Sequence, residues 1–512
     1  MVTGRAGAAR LLVLAALLAT APAKGADEGL AASGRRMLAD VRALTSEAFG
    51  GRRAGTRGAD DAAAFVASSF RASGLLPAGK TGSYLQPFSF VDGATPGPGN
   101  RLSAAVGAPV SRGYRLDEDF RPLALSASGT VEADVAFCGY GIASPETGYD
   151  DYAGVDVRGK AVLVLRGGPG GDDPDSPFAR HFPLRAKLDL ARRNGAAALL
   201  VAPARGDALV SLRTDFDVEP SALPGVSVRR RVAEALFAGS GTTLAALQAR
   251  IDGAAKPAPL PLPRARVTLA VDLVPHRATT ANVAGLVPGR DPVANRQAVL
   301  FGAHYDHLGD GGAGSLDRSP SRRIHPGADD NASGTALLLE LARTLSRRRG
   351  ELKRSALLVA FGAEEEGSLG ARVLAGAPPV PLGDVAAVIC LDMVGRLPRE
   401  GLIVRGTGTS PRFRDLVASA AREAGLAVRP FDPAWGPSDH AVFLAAGRPV
   451  LFLFTGYHRD YHRPSDTADR LDVSGMERIH RFLEVIALRL LGDAEPLPFS
   501  RVPGDGVPAR AR

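Results

Sequence analysis

Apolar and polar positions along the chain follow different patterns in its successive parts. Residues 38–75 carry apolar side chains at helical spacing, and the pattern stops at Gly74. From about Val131 the chain has short β-rich runs separated by Gly, Pro and Asp, with one helix expected at 184–194. This part ends at the proline-rich stretch 256–263, which is interpreted as a linker. The pattern predicts an amphipathic helical start followed by a separate β-rich domain.

Strand and helix patterns alternate after the proline-rich stretch. The apolar runs QAVLFGA, ALLVAF, VAAVICLD and PVLFLF read as strands, and helices are expected at about 333–347 and 475–491. Continuous apolar strands of this kind are buried on both faces of a sheet. The alternation predicts an α/β fold with a mixed, mostly parallel sheet flanked by helices.

Composition and charge narrow the class of protein. A chain of 512 residues is long enough for two or three domains, and 45% hydrophobic with 23% charged residues is typical of globular proteins. The net charge of +8 comes from basic residues interspersed with acidic ones. The densest basic run, Arg347–Arg349, falls where a helix is expected to end and where cations favour the helix dipole. We therefore expect no nucleic-acid partner.

The first 26 residues have the pattern of a secretory signal peptide. Arg5 and Arg10 precede an apolar run, Leu11–Leu18, and a small-residue cleavage site follows. The apolar run is too short to span a bilayer, and no other stretch reaches the ~20 apolar residues that a membrane helix needs. The sequence predicts a secreted or periplasmic protein without stable membrane insertion.

Polar side chains follow the ends of the predicted strands. His304 and Asp306 follow QAVLFGA, Glu364–Glu366 follow ALLVAF, and Asp392 ends VAAVICLD. Because the carboxyl ends of parallel strands meet at one edge of a sheet, we expect these side chains to lie together. The loop segments PGADDNASG and DYHRPSDT add aspartates and a histidine.

This mixture of residues favours a metal site. Imidazole and carboxylate suit zinc, and two metals about 3.5–4 Å apart need a bridging ligand such as a carboxylate. The only cysteines, Cys138 and Cys390, are too few for a thiolate zinc site. Adjacent glutamates directly after a buried strand are costly unless a metal or hydrogen bonds offset their charge.

Five segments, in order along the chain, resemble a known family: GAHYDHLG, PGADDNASG, FGAEEEGSLGA, CLDMVGR and YHRPSDT. Together they look like the signature of the co-catalytic di-zinc aminopeptidases, a group that also contains glutamate carboxypeptidases, glutaminyl cyclases and transferrin receptors. The segments GYGI, YDDYAGVDVRGKAVLVLRGG and NGAAALLVA resemble a protease-associated domain. The resemblance implies a zinc exopeptidase-like fold with this β-rich domain inserted as a lid or partner-binding module.

The resemblance also implies a domain organisation. The expected segments are a signal peptide at 1–26, the N-terminal part of the catalytic domain at 27–119, a protease-associated domain at 120–268, the di-zinc catalytic domain at 269–495 and a disordered tail at 496–512.

Carried over position by position, the resemblance implies two zinc ions per chain. The implied metal ligands are His304, Asp330, Glu365, Asp392 and His462. His304 and Asp392 would hold one zinc, Glu365 and His462 the other, and Asp330, rather than Asp329, would bridge them. Glu364 would be the general base, and Asp306 would orient His304.

Residues around these positions have weaker assignments. Glu366 is interpreted as part of a solvated turn, and His307, His325 and His458 as structural. Ser438, Asp439 and His440, in PSDHAVF, are expected near the substrate pocket without a catalytic role, and Phe431, Trp435, Phe443 and Tyr457 are candidates for its lining.

The implied activity is that of a secreted, metal-dependent aminopeptidase. It would hydrolyse the first peptide bond of peptides with a free N-terminus, using a zinc-held hydroxide and a glutamate base. A carboxypeptidase-like or glutaminyl cyclase-like enzyme of the same group is the alternative. A non-catalytic binding protein is less favoured because every expected ligand position is filled. The sequence leaves the side-chain specificity, the oligomeric state and the physiological metal open, with manganese or cobalt as alternatives to zinc.

Overall fold

The structure, a computed structural model, describes residues 31–503 except 108–109, 146, 172, 174–175, 213–218, 313, 318 and 320. The expected signal peptide at 1–26 lies outside the described residues. Two compact units are formed. One holds the described residues up to Phe88 and those from Thr279 onward, and the other spans Ser89–Ala278.

The described residues form nineteen strands and ten α-helices. The strands are β1 (Leu76–Pro77), β2 (Leu85–Pro96), β3 (Arg101–Val106), β4 (Arg112–Tyr114), β5 (Phe120–Pro122), β6 (Gly129–Phe137), β7 (Ala143–Ser144), β8 (Tyr149–Asp150), β9 (Ala161–Leu165), β10 (Ala198–Ala202), β11 (Gly225–Val228), β12 (Leu260–Val271), β13 (Leu273–Val287), β14 (Ala298–His304), β15 (Ser355–Phe361), β16 (Val385–Leu391), β17 (Leu402–Arg405), β18 (Val428–Phe431) and β19 (Val450–Phe454). The helices are α1 (Ala32–Leu44), α2 (Arg57–Ala72), α3 (Leu184–Arg193), α4 (Arg230–Ala235), α5 (Leu244–Ala254), α6 (Gly334–Arg347), α7 (Leu369–Gly376), α8 (Phe413–Ala424), α9 (His440–Ala445) and α10 (Val473–Gly492).

The sheet of the first unit has the order β1-β13-β15-β14-β16-β19-β17-β18, with β2 paired to β13. Its central strands β15, β14, β16 and β19 are parallel, whereas β13 and β17 join antiparallel. Alternate side chains of β14 enter different apolar clusters, Phe301 on one face and Leu300 on the other. The predicted mixed α/β sheet is confirmed, because helices cover both faces of these apolar strands.

The register of the central strands brings their carboxyl ends to one edge. His304, the last residue of β14, pairs with Phe361 at the end of β15, and Gly302 pairs with Cys390 near the end of β16. Any polar residue that directly follows these strands therefore lies at the same edge. The candidate site is built there.

The second unit has a separate sheet with the order β4-β3-β12-β6-β9-β10-β11-β5. Helix α3 connects the parallel strands β9 and β10. The unit begins earlier than the expected boundary at 120, because β3 pairs with β12 over Leu102↔Leu269 and neighbouring residues. It also ends later than 268, at Ala278.

The interpretation of 256–263 as a linker is wrong, because strand β12 begins at Leu260. Over Leu260–Leu262 the strand pairs with β6 only, whereas β3 joins it at Ala265. Among the described residues, one side of the strand has no neighbouring strand at Pro261, and proline without an N–H is tolerated there. The register then shifts between Leu262 and Arg266.

The carboxyl-terminal segment is ordered further than expected. Instead of becoming disordered at 496, Leu497 and Phe499 pack against apolar clusters of the first unit, and the Ser500 N–H donates to the Thr409 carbonyl at 2.8 Å. Residues 504–512 lie outside the described part. In the part of the chain that the structure describes, no helix has both the length and the apolarity to cross a membrane.

Candidate metal centre

The ends of three parallel strands supply most of the site. His304 ends β14, Asp392 follows β16, and Glu364 and Glu365 lie in the turn after β15. Ala363 starts this turn with a φ of 58°, a left-handed conformation that is strained for a residue with a side chain. The turn directs two successive glutamates to the same site, which an extended strand cannot do.

Asp330 lies between two histidines, before helix α6. Its Oδ1 is 3.4 Å from His304 Nε2, which is also 3.4 Å from Asp392 Oδ1. Its Oδ2 is 3.2 Å from His462 Nε2, which is also 3.2 Å from Glu365 Oε2. The structure thus brings all five of the predicted ligands together in two groups that share Asp330.

These distances fit metal binding. Two ligand atoms bound about 2.0–2.1 Å from a tetrahedral zinc are themselves about 3.3 Å apart. His304 Nε2 is buried and has no hydrogen-bond partner, although two carboxylate oxygens lie near it. A buried polar atom without a partner is costly, and a cation between these atoms would satisfy it.

The charges in the site also call for a cation. Burial lowers the pKa of His462, but Glu365 and Asp330 outweigh it and raise that pKa to about 11. Burial likewise lowers the pKa of His304, and Asp392 and Glu364 raise it well above the usual value. Carboxylates therefore outnumber the cationic groups around both imidazoles, and divalent metal can provide the missing positive charge.

Glu364 lies beside the metal-binding atoms, but farther from them than the 3.2–3.4 Å that separates the ligand atoms from one another. Its Oε2 is 4.0 Å from His304 Nε2, and Ser368 Oγ donates to its Oε1 at 3.4 Å. Burial raises the pKa of Glu364 well above its usual value, and the nearby Asp439 and Asp392 carboxylates add to this effect. A carboxylate with a raised pKa next to the ligands is suited to accept and return a proton.

The side chain of Asp306 contacts the glutamate turn, whereas the sequence interpretation expected it to orient His304. Its carboxylate accepts hydrogen bonds from the backbone N–H groups of Glu364 at 3.0 Å and Glu365 at 3.3 Å. His304 Nδ1 instead lies 3.2 Å from the Asp306 backbone oxygen and 3.8 Å from its Oδ1. Asp306 is thus a positioning residue for the glutamate turn, and only its carbonyl orients His304.

The other acidic neighbours point away from the metal-binding atoms. Asp329 Oδ1 accepts from the Gly395 N–H at 2.6 Å, and its Oδ2 lies 3.2 Å from His458 Nε2. The interpretation of Glu366 as a solvated residue is wrong, because its side chain is only 9% exposed and pairs with Arg53 at 3.3 Å.

Asp466 and Arg396 support the site and were missed in the sequence. Asp466 Oδ2 accepts from the backbone N–H groups of Asp329 at 2.8 Å and Asp330 at 3.1 Å. Arg396 donates to Asp466 Oδ1 at 2.6 Å. Both residues belong to segments of the signature, CLDMVGR and YHRPSDT, so their charges within those segments were the available signal.

His462 is oriented by the loop that follows β14. Its Nδ1 donates to the Gly314 carbonyl at 2.7 Å, which directs Nε2 toward Asp330 and Glu365. His325 Nε2 lies 2.8 Å from the hydroxyl of the neighbouring Ser315, and this contact holds the same loop. The Tyr461 ring stacks on the His462 ring at 3.8 Å.

The PSDHAVF segment supports the first group of ligands. Ser438 Oγ donates to Asp392 Oδ2 at 2.7 Å, Asp439 is buried, and His440 Nε2 contacts the Ala434 carbonyl at 2.7 Å. Of the candidate pocket residues, Phe443 is buried, whereas Tyr457 is 50% exposed.

The fold and the paired histidine–carboxylate groups define a metallopeptidase-type α/β domain. Residues 282–487 match the family model described as Peptidase family M28, and residues 127–236 match the PA domain. Residues 282–487 are therefore a domain of the Peptidase family M28 type, and residues 127–236 are an inserted PA domain.

Individual relatives are distant. Uncharacterized protein YfbL of Escherichia coli (strain K12) is 29% identical over 36% of this chain and 65% of its own length. A probable leucine aminopeptidase of Arthroderma otae is 25% identical over 40% of this chain and 56% of its own length. The chain therefore spans 65% and 56% of the length of these two curated relatives.

A solved structure of an aminopeptidase from Aneurinibacillus sp. strain AM-1 covers 92% of this chain and 96% of its own chain, with 22% identity and a TM-score of 0.53. Because the identity is only 22%, this structural similarity shows a shared fold and no more.

Proposed function

We propose that this chain is a zinc-dependent aminopeptidase with two metal positions that share Asp330. The observation that carries the proposal is the placement of the two Asp330 oxygens, each 3.2–3.4 Å from a different histidine. The names of the relatives, a probable leucine aminopeptidase and a solved aminopeptidase, support an aminopeptidase rather than another peptidase.

Five residues of the chain would serve as the metal ligands. His304 and Asp392 would hold one zinc, Glu365 and His462 the other, and Asp330 both. When bound, two zinc ions would supply Lewis acidity that activates water and polarises the scissile carbonyl.

Glu364 takes a proton from the attacking water and gives it to the leaving amine. Its burial beside His304 holds its pKa above the ordinary glutamate value, which favours return of the proton. Asp306 keeps Glu364 and Glu365 in place through their backbone N–H groups. Because neighbouring N–H groups share one carboxylate, the base and the ligand are fixed together.

The test is hydrolysis of a panel of aminoacyl chromogenic amides and of their amino-terminally acetylated counterparts. The purified protein is assayed before chelation, after chelation and after return of zinc. Activity on free-amine substrates alone that returns with zinc supports the proposal. Two bound zinc ions without such activity would instead favour the carboxypeptidase-like or glutaminyl cyclase-like alternative.

The proposal includes export from the cytoplasm. The signal pattern at 1–26, with Arg5 and Arg10 before an apolar run, supports it. Intact-mass analysis of protein recovered from the medium or periplasm of the expressing cells would show removal of these residues. An unprocessed chain confined to the cytoplasm would contradict export.

A further inference from the structure

A third histidine, His307, lies against the second group of ligands. It is fully buried, and its Nδ1 is 2.6 Å from Glu365 Oε1 and 3.9 Å from Asp330 Oδ2. His307, Asp330 and Glu365 could by themselves hold a metal ion, since their ligand atoms lie within 4.8 Å of one another. Two imidazoles, His307 and His462, are therefore available for one metal position.

The distances separate the roles of these histidines. His462 Nε2 lies 3.2 Å from both Asp330 Oδ2 and Glu365 Oε2, which is the spacing of two ligands on one zinc. His307 Nδ1 lies 2.6 Å from the other oxygen of Glu365, which is within hydrogen-bond distance. The two oxygens of Glu365 therefore face different histidines.

The backbone locks the His307 ring in this orientation. Gly327 lies directly against it, and a Cβ at that position would be 2.5 Å from His307 Cγ and Cδ2. The His307 N–H also donates to the Arg52 carbonyl at 3.3 Å. Gly327 therefore packs against the Cγ–Cδ2 side of the ring, while Nδ1 faces Glu365.

We propose that His307 is a positioning residue that holds Glu365 Oε1 in a hydrogen bond and leaves Oε2 as the single oxygen for the second metal. This inference rests on the proposed two-zinc function. A carboxylate that binds a metal through one oxygen leaves a coordination position free for water or substrate. A carboxylate released from His307 can turn, so that Oε2 is no longer held at the metal position and the metal binds more weakly.

The test compares zinc affinity in His307→Leu, His307→Asn and wild type by competition with a chromogenic chelator. Leucine removes the donor, and we expect one of the two zinc equivalents to bind about 10–100-fold more weakly while the other is unchanged. Asparagine can place an N–H near the position of Nδ1, so its zinc affinities should return to within a few-fold of wild type. His276→Leu, at an exposed position in the second unit, is the matched control and should leave both affinities unchanged.

Each outcome bears on the proposal. Unchanged affinities in His307→Leu, or an equal weakening of both equivalents with a lower Tm, would show a merely structural residue. Complete loss of one equivalent in both variants would make His307 a ligand and overturn the assignment. If His307→Leu does not fold, the folded His307→Asn decides: zinc affinities within a few-fold of wild type support the hydrogen bond, and loss of one zinc equivalent overturns the assignment. Wild type that binds fewer than two zinc equivalents would contradict the proposed two-zinc function itself. Failure of that function is therefore distinguishable from failure of the His307 assignment alone.

Discussion

Asp466 holds Asp330 by its backbone, because Asp466 Oδ2 accepts a hydrogen bond from the Asp330 N–H at 3.1 Å. The same oxygen accepts from Asp329, and Arg396 pairs with Oδ1 at 2.6 Å. Asp330, which the two proposed metal positions share, is thus held through its backbone. This arrangement leaves the Asp330 side chain free to present one oxygen to each histidine.

We expect Asp466→Ala to weaken both zinc equivalents, since Asp330 serves both positions. Loss of a carboxylate that orients a ligand typically costs about 10–100-fold in metal affinity. Three hydrogen bonds to a charged group also disappear, from Asp329, Asp330 and Arg396, at roughly 1.5–3 kcal/mol each, so the Tm of the apoprotein should fall. Chelator competition and thermal unfolding measure the two effects. Asp469→Ala, an exposed change three residues away, should show neither, and a similar loss there would contradict this explanation.

The strand-end residues of the site could be predicted from the sequence. His304 and Asp392 directly follow apolar runs, and parallel strands bring such positions to one edge whatever the loops do. The two glutamates followed from the same rule, although the turn that presents both depends on the left-handed Ala363. The mixed sheet itself was predictable because its strands are apolar on both faces.

Contacts made by loops could not be predicted in this way. Which histidine faces which oxygen of Glu365 depends on Gly314 and Gly327, two backbone contacts far from Glu365 in sequence. The supporting pair Arg396 and Asp466 joins two loops, and no periodic pattern reports such a contact. The start of the second unit was missed for a similar reason, since pairing of distant strands decides it.

Replacement of Glu364 by glutamine should separate proton transfer from metal binding. Glutamine keeps the size of the side chain but cannot take a proton, so we expect kcat to fall by about 10²–10⁴-fold with two zinc ions still bound. Steady-state kinetics gives kcat, and metal analysis of the same preparation gives the number of bound zinc ions. The control is Glu366→Gln, which alters the neighbouring glutamate that pairs with Arg53 and should keep most of the activity. Full turnover in Glu364→Gln would exclude it as the base.

An aromatic row leads from the surface to His462 and predicts a preference for large apolar N-terminal residues. Tyr457 is 50% exposed, its ring lies 4.9 Å from that of Tyr461, and Tyr461 stacks on His462. Tyr457→Ala should lower kcat/KM for leucine and phenylalanine amides by roughly 10-fold and for alanine amide much less, because apolar contact differences are worth about 1–3 kcal/mol.

The matched control for this prediction is Phe431→Ala. Phe431 is 40% exposed, but the guanidinium groups of Arg405 and Arg429 each lie 5.8 Å from its ring centroid. Its removal should change all three amides little. An equal fall in kcat/KM for the three amides in Tyr457→Ala would show that Tyr457 does not contact the side chain of the N-terminal residue.

Asp151 in the second unit predicts a pH dependence of stability that is separate from the metal centre. Burial raises its pKa to about 6, although the N–H groups of Ile142 and Tyr140 and the Tyr149 hydroxyl donate to its carboxylate and oppose the rise. Between about pH 4 and 6 the folded chain therefore keeps a proton that the unfolded chain has lost. The stabilisation from this proton is complete below the unfolded pKa and is lost as the pH rises through 6.

Asp151→Asn should remove this dependence, because an amide is neutral throughout and its oxygen can still accept from the two N–H groups. A two-unit shift corresponds to about 3 kcal/mol, so wild type should lose roughly that much stability relative to the variant between pH 4 and 7. Denaturant unfolding of the full-length apoproteins at several pH values measures the difference. Asp134→Asn changes an exposed carboxylate on a strand of the second unit's sheet. Its free energy of unfolding should depend on pH in the same way as that of wild type. Parallel curves for wild type and Asp151→Asn would mean that Asp151 remains ionised in the fold across this range.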